Sequence, residues 1–484
     1  MQGGQERIKV KVKGLRSSVG ALHRRKIKVK ISIGDRSKLV PCILLCMVYN
    51  DNVFRISKFY GGFMRRRSFA GMRPKLNLND NMHINIYNGI ALAVATNLVN
   101  PYFAKFAMRL GASDYQLAYL NSWPAFVSIF ALIPGALLIE ALGNKQRSTQ
   151  WIMLIHKFFF LALAIVPVID HISKPWLFIG LVGIMNFPGS IYMMGYQSCV
   201  GDIFAPRERG KAMSLRNKYS DVFRLIITLI SGQLLTRLPN SDQEVIWLYQ
   251  IFFVIAFASG IMEFLSFKRF KIESSAVTPM IKGKFYAVLK DGMNFIAGSK
   301  EFKLFFACSL LFHFGWQMGW PLFNIYMINV LGANEAWLGA VSVAGGLSAI
   351  LTATHWAKFA DKYGNTIAIV IATFGMSITP ILYVFSESLY MLVLFNVIIG
   401  VSITGTVLVL FNMLLDVTPS KNRTTIISIY NTLIAISATI APILGVAIME
   451  KTSLKTALIV VGIMRLLGSV SFYFRRKIMR RIQA

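Results

Sequence analysis

The feature that most constrains this chain is a succession of apolar runs, each long enough to cross a bilayer. A membrane-spanning helix needs ~20 mostly apolar residues. From residue 84 the runs cover 84–108, 115–140, 148–169, 175–199, 212–236 and 244–267. A polar stretch, 268–300, separates these from 301–330, 336–360, 366–385, 389–415, 424–449 and 455–474. The runs are continuous and do not alternate apolar with polar residues, which predicts helices and not barrel strands. Only 15% of the residues are charged, against roughly 25% in soluble domains. That composition excludes a soluble enzyme, a disordered chain and a collagenous one. Cys42, Cys46, Cys199 and Cys308 are too few and too scattered for a disulfide framework.

The net charge of +31 first suggests a nucleic-acid partner, but its distribution argues against one. About half of the excess lies in residues 1–75. Most of the rest falls in short loops, where membrane topology accounts for it. With both termini cytoplasmic, roughly 24 Lys and Arg lie in inner segments and roughly 5 in outer loops. An even number of spans agrees with that orientation, in a multi-pass protein of the cell membrane.

The two sets of runs repeat one another. Leu110, Gly111 and Ala112 recur as Leu331, Gly332 and Ala333, and Glu140 and Gly143 recur as Asp361 and Gly364, all 221 residues apart. In a second register Asp202, Arg209, Ser214 and Asn217 recur as Asp416, Arg423, Ser428 and Asn431, 214 apart. The expected fold class is therefore an all-α integral membrane protein with twelve transmembrane helices in two pseudo-symmetric six-helix bundles. The bundles are 84–267 and 301–474, joined by a cytoplasmic linker at 268–300 and followed by a basic tail at 475–484. Two repeated six-helix halves mark transporters with a pseudo-twofold axis along the membrane normal.

Over 84–474 the chain resembles the major facilitator superfamily. The family's loop motif between helices 2 and 3, G-x-x-x-D-R-x-G-R, appears here in degenerate form. Ala136, Glu140, Gly143 and Asn144 stand in one copy, and Ala357, Asp361, Gly364 and Asn365 in the other. The acid and second glycine survive, while the first glycine and both arginines do not. Lys145, Arg147 and Lys362 offer replacement charge. Independently of the resemblance, glycine permits a sharp turn at a helix end where φ is positive. The carboxylate beside it can pair with Arg209 in one half or Arg423 in the other, forming a cytoplasmic latch. Helix termination at the water interface is the competing account of Glu140 and Asp361.

The resemblance implies a solute path lined by helices 1, 4, 7 and 10. On helix 7, His313, Gln317, Trp320 and Asn324 share one stripe, with Trp316 beside it. Helix 1 offers Thr96, Asn97 and Asn100; helix 4 offers Asn186, Tyr192 and Gln197; helix 10 offers Asn396 and Thr404. Amides in hydrocarbon need partners, so each either faces a solute or bonds between helices. Asp221 and Arg224, on adjacent turns of helix 5, read as a cytoplasmic gate, a proton site or a structural ion pair. Lys157 and Arg465 fall near mid-span on helices the family places outermost, which predicts snorkelling. His156 and His355 read as packing residues. His313 and Asp221 are the candidates for proton coupling.

No Gly-x4-Gly-Lys-Ser/Thr phosphate loop, HExxH pair or Cys/His cluster is present, so no enzymatic role, cofactor or metal is expected. The expected partners are a small solute, the lipid bilayer and protons, with no nucleic acid and a monomeric state. The leading function is secondary-active or facilitative transport of a small solute by alternating access. A proton-driven multidrug-type exporter is an alternative within transport. A transport-inactive membrane sensor or scaffold of the same fold is another. Residues 1–75 form a basic extension, disordered or mis-called. Tyr60 to Met64 can be encoded with a purine-rich ribosome-binding stretch, so translation is expected to start at Met64 or Met72.

Overall fold

The computed structural model describes residues 80–141, 144–271, 282–419 and 423–483. The expectations about residues 1–75, Gly143 and the side chains of Glu140 and Arg423 lie outside the described residues. Described residues form α1 (Asp80–Asn97), a 3-10 turn (Asn100–Tyr102), α2 (Phe103–Arg109), α3 (Asp114–Ala141), α4 (Lys145–Ile165), α5 (Lys174–Ile203), α6 (Pro206–Arg237) and α7 (Asp242–Lys268). Then come α8 (Lys282–Gly298), α9 (Lys300–Ile325), α10 (Glu335–Tyr363), α11 (Asn365–Val384), α12 (Leu389–Asp416), α13 (Arg423–Lys451) and α14 (Leu454–Gln483). Among the described residues eight helices, α4, α5, α7 and α10 through α14, are long and apolar enough to cross a membrane by length and composition.

Helix starts follow local chemistry. Asn144, Ser241, Ser299, Asn334 and Ser388 each accept a hydrogen bond from the backbone N–H three residues on, satisfying donors the first turn leaves open. The single helix expected over 84–108 is instead broken between α1 and α2. Pro101 lacks the N–H that would continue the helix, and the chain passes through the 3-10 turn there. The expected polar linker contains α8. The repeated Leu-Gly-Ala triplets close both helices before α3 and α10, with φ of +92° at Gly111 and +66° at Gly332. Gly364 has φ of +84°, the left-handed turn anticipated for it.

Helix pairings carry the repeat into three dimensions. Within the first half, α3 packs on α5, α4 on α5 and α7, and α1 on α6 and α7. Within the second, α10 packs on α12, α11 on α12 and α14, and α9 on α13 and α14. Each pairing has its counterpart in the other half. The halves meet along two main seams, α3 with α13 and α6 with α10, which the same symmetry interchanges.

The two ends of this bundle differ. At the end holding Arg109, Asp242 and Glu335, one cluster of buried apolar side chains runs through both halves. It extends from Val99, Phe106 and Phe253 to Leu322, Leu392 and Leu458. At the opposite end the clusters are separate: Phe305, Phe312 and Met413 in one half, Met153, Cys199 and Phe267 in the other. The first is hereafter the closed end, the second the split end.

Candidate functional site

The helices expected to line a solute path are α1, α5, α9 and α12, none of which forms either main seam between the halves. The paired neighbours of α4, α7, α11 and α14 belong to their own half. The α9 stripe divides on inspection. His313, Trp316, Trp320 and Asn324 remain partly accessible. Gln317 is 2% exposed; its Nε2 donates to Ile434 O at 3.3 Å and its Oε1 accepts from Ser437 at 2.7 Å. Gln317 therefore fastens α9 to α13, which corrects its assignment to the cavity. A 100° periodicity places it on the stripe but does not say that α13 covers that part of it.

The amides of the other lining helices share one habit. Asn97, Asn186 and Asn396 each donate to the carbonyl four residues back in their own helix, at 2.9, 3.0 and 2.9 Å. That bond satisfies one N–H and leaves the amide oxygen to accept elsewhere. Asn100 is exposed beside the 3-10 turn. Tyr192 is buried inside the first half, where the Lys157 ammonium lies 5.0 Å from its ring centre. That burial within one half corrects its assignment to the solute path.

At the closed end, a charge network not expected from sequence bridges the halves. Arg109 donates from Nε and Nη2 to the two oxygens of Glu335, at 2.7 and 3.2 Å, and from Nη1 to Asp242 at 2.6 Å. The Tyr249 hydroxyl adds a bond to Glu335 at 3.2 Å. Glu335, 1% exposed, belongs to the second half and the other three residues to the first. Asp114 stands 221 residues before Glu335 and accepts from Asn329 of the other half at 3.0 Å. The repeat thus places an interhalf contact at both equivalent positions. Tyr102 donates to Thr228 O, and a Cβ on Gly232 would come within 2.7 Å of the Glu335 carbonyl. The sequence signal was available, since Arg109 and Glu335 flank the two copies of the Leu-Gly-Ala triplet.

At the split end the described polar contacts stay within a half. Lys145 pairs with Asp202 at 3.4 Å, and Asn365 donates to Asp416 at 2.8 Å, so the second repeat register also has matching roles. Arg209 caps α5 by donating to Phe204 O at 3.0 Å and to Gly201 O. These bonds hold Arg209 within its own half; the Glu140 side chain expected to pair with it lies outside the described residues. Asp361 is exposed. Asp221 and Arg224 do pair, at 3.2 Å. Arg224 lies on the α6–α10 seam, where a Cβ on Gly346 would come within 3.4 Å of its guanidinium nitrogens.

Lys157 and Arg465 do not snorkel. Lys157, 0% exposed, pairs at 2.7 Å with Glu263, 1% exposed, joining α4 to α7. The Asn88 amide donates to the Glu263 carbonyl at 3.1 Å and links α1 to the same cluster. Arg465 donates to the carbonyls of Gly315, Trp316 and Met376 at 3.3, 3.1 and 3.1 Å. These residues sit on outer helices but point into their own half, a direction that hydropathy does not encode.

The sequence model described as Major Facilitator Superfamily matches residues 305–481. Solved structures extend the likeness over both halves. A mutant of the nucleoside transporter NupG superposes with a TM-score of 0.63 at 11% identity, covering 81% of this chain and 99% of that one. The match to the major facilitator superfamily thus covers the second half in sequence, and the fold likeness covers both halves. A POT family transporter in complex with 5-aminolevulinic acid gives 0.62 at 13% identity, over 82% of this chain and 96% of that one. Another, in complex with a thioalcohol-conjugated peptide, gives 0.60 at 13% identity, over 80% and 94%. At these identities the likeness is one of fold. No curated protein matches the chain in sequence. The proteins named in these comparisons are membrane transporters.

Proposed function

We propose that the protein spans the cell membrane twelve times and moves a small solute by alternating access. In this reading α1 with α2 forms the first span, α3 through α7 and α9 through α14 form the others, and α8 lies in the cytoplasmic linker. Both termini are cytoplasmic, and the split end, which carries the basic loops, faces the cytoplasm. The observation that carries the proposal is the contrast between one apolar core at the closed end and two at the split end. Halves that pack together at one end and separately at the other can rock about a central site. The Arg109–Glu335 pair holds the present state, and Arg224 with Asp221 sits on the seam that must slide.

The test begins with a thermal-shift screen of the purified protein, because a solute that binds the native state raises its stability. Each hit is then loaded into proteoliposomes and its labelled form followed in counterflow. Counterflow of a stabilising solute supports transport. Solutes that stabilise the protein yet never cross would overturn transport in favour of a sensor of the same fold.

A further inference from the structure

The α9 stripe carries a feature that bears on which solute fits. The His313 Nδ1 lies 2.8 Å from the carbonyl oxygen of Ser309. A carbonyl only accepts, so Nδ1 carries the proton and donates it there. The Ser309 hydroxyl, 3.2 Å from the same nitrogen, is bonded in turn to the Tyr430 hydroxyl at 2.6 Å. This arrangement fixes the ring and its tautomer from the preceding turn of the same helix and from α13. In the neutral imidazole, Nε2 is then an acceptor with no protein partner among the described residues.

The surroundings of that acceptor are aromatic. The Trp316 ring centre stands 5.7 Å from the imidazole at 37°, and the Tyr430 ring stands 6.4 Å away at 84°. Trp320 follows one turn on, partly accessible, and Asn324 one turn beyond it. Among the described residues carboxylates are missing from this depth, and the one guanidinium beside it, Arg465, is 1% exposed and taken up by the carbonyls of Gly315, Trp316 and Met376. The carboxylates of α1, α5, α9, α12 and α13 among the described residues are Asp80, Asp202, Glu301, Asp416 and Glu450, all at helix ends. The charges further along the seam, Asp221 and Arg224, neutralise each other.

We propose that this site takes a planar, uncharged heteroaromatic solute that offers a ring N–H to His313 Nε2 and stacks against Trp316 and Trp320. The assignment rests on the transport reading above and adds a substrate class to it. A flat ring fits between aromatic faces without the hydroxyl partners a sugar requires. A cationic solute would find no carboxylate here, and an anionic one would find the Arg465 guanidinium buried behind α9 and already bonded. The unprotonated nitrogen discriminates by hydrogen bonding, because an analogue that cannot donate leaves it unpaired.

The experiment uses the full chain in proteoliposomes, with counterflow of labelled uracil, uridine, glucose, glutamate and glycylglycine. Uracil and 1,3-dimethyluracil, which lacks both ring N–H groups, are then compared as competitors. Uracil is expected to exchange and to compete about tenfold better than its dimethyl analogue. His313→Phe keeps a flat ring and removes the acceptor, so it should abolish that preference. Trp316→Leu should weaken both competitors together while leaving their ratio intact. Equal competition by the two pyrimidines in the unaltered protein would overturn the assignment even if neither variant folds. Exchange of glucose, glutamate or glycylglycine without uracil would overturn it too while leaving the transport reading standing. A lack of exchange of both uracil and uridine would overturn the substrate class, while the transport reading falls only if solutes that stabilise the protein never cross.

Discussion

Glu335 offers the sharpest test of the closed end. It is almost wholly buried, takes two bonds from Arg109 and one from Tyr249, and belongs to the opposite half from both. Removing one member of a buried ion pair typically costs ~3–5 kcal/mol. Glu335→Gln retains one acceptor oxygen, and the Arg109 side chain is 20% exposed and keeps Asp242. The expected loss from the closed state is therefore smaller, ~2 kcal/mol, or about a thirtyfold shift in the ratio of the two states. Asp242 is 92% exposed and contributes at most ~1 kcal/mol, so Asp242→Asn serves as the control. Ser231, buried beneath the network and bonded to Tyr102, reports opening. Replaced by cysteine in a background lacking Cys42, Cys46, Cys199 and Cys308, it should react with an impermeant maleimide only when that end parts. Glu335→Gln should raise the labelling rate at least tenfold, and Asp242→Asn should scarcely change it. An unchanged rate in Glu335→Gln, or equal rates in both variants, would refute the latch.

Other perturbations follow from the same geometry. Gly232→Val should hold the closed end apart, because its Cβ would meet the Glu335 carbonyl; the Ser231→Cys reporter should then label rapidly, and slow labelling would mean the seam shifts to admit it. Lys157→Met or Glu263→Leu alone leaves a buried charge without its partner and should cost ~3–5 kcal/mol. The double variant should recover part of that loss, as thermal unfolding in detergent would show; a double variant as unstable as the sum of the singles would mean the pair is not the cause. Gln317→Ala unpairs Ser437 and the Ile434 carbonyl, so it should cost about 1–3 kcal/mol of stability without altering selectivity between uracil and its dimethyl analogue. A changed ratio would return Gln317 to the cavity.

Much of this architecture is legible in the sequence. The apolar runs follow from composition. The Leu-Gly-Ala triplets are visible because a positive φ favours glycine, and the fold uses both copies in that way. The repeated aspartates, Asp202 and Asp416, also keep equivalent roles. The break at Pro101 carried its own signal in a missing backbone donor. Buried charge was the harder part. Lys157 looks like any basic residue in an apolar run until Glu263 is placed against it, and periodicity records a stripe without saying which neighbour covers it. Gln317 and Tyr192 were misplaced for that reason.

The Lys157–Glu263 pair also bears on how the protein is made. Its members lie in separate apolar helices, and Glu263 follows Lys157 by 106 residues. At ~5–20 residues per second of synthesis, the lysine waits on the order of ten seconds for its partner. Over that interval α4 carries an unpaired cation whose insertion at mid-membrane costs ~2.5–3.5 kcal/mol. The helix can settle at its final depth only once α7 has emerged, which couples integration of the first half to completion of its sixth apolar run. A ribosome stalled before residue 263 would leave α4 exposed to extraction, so the first half reaches the bilayer as a unit or not at all.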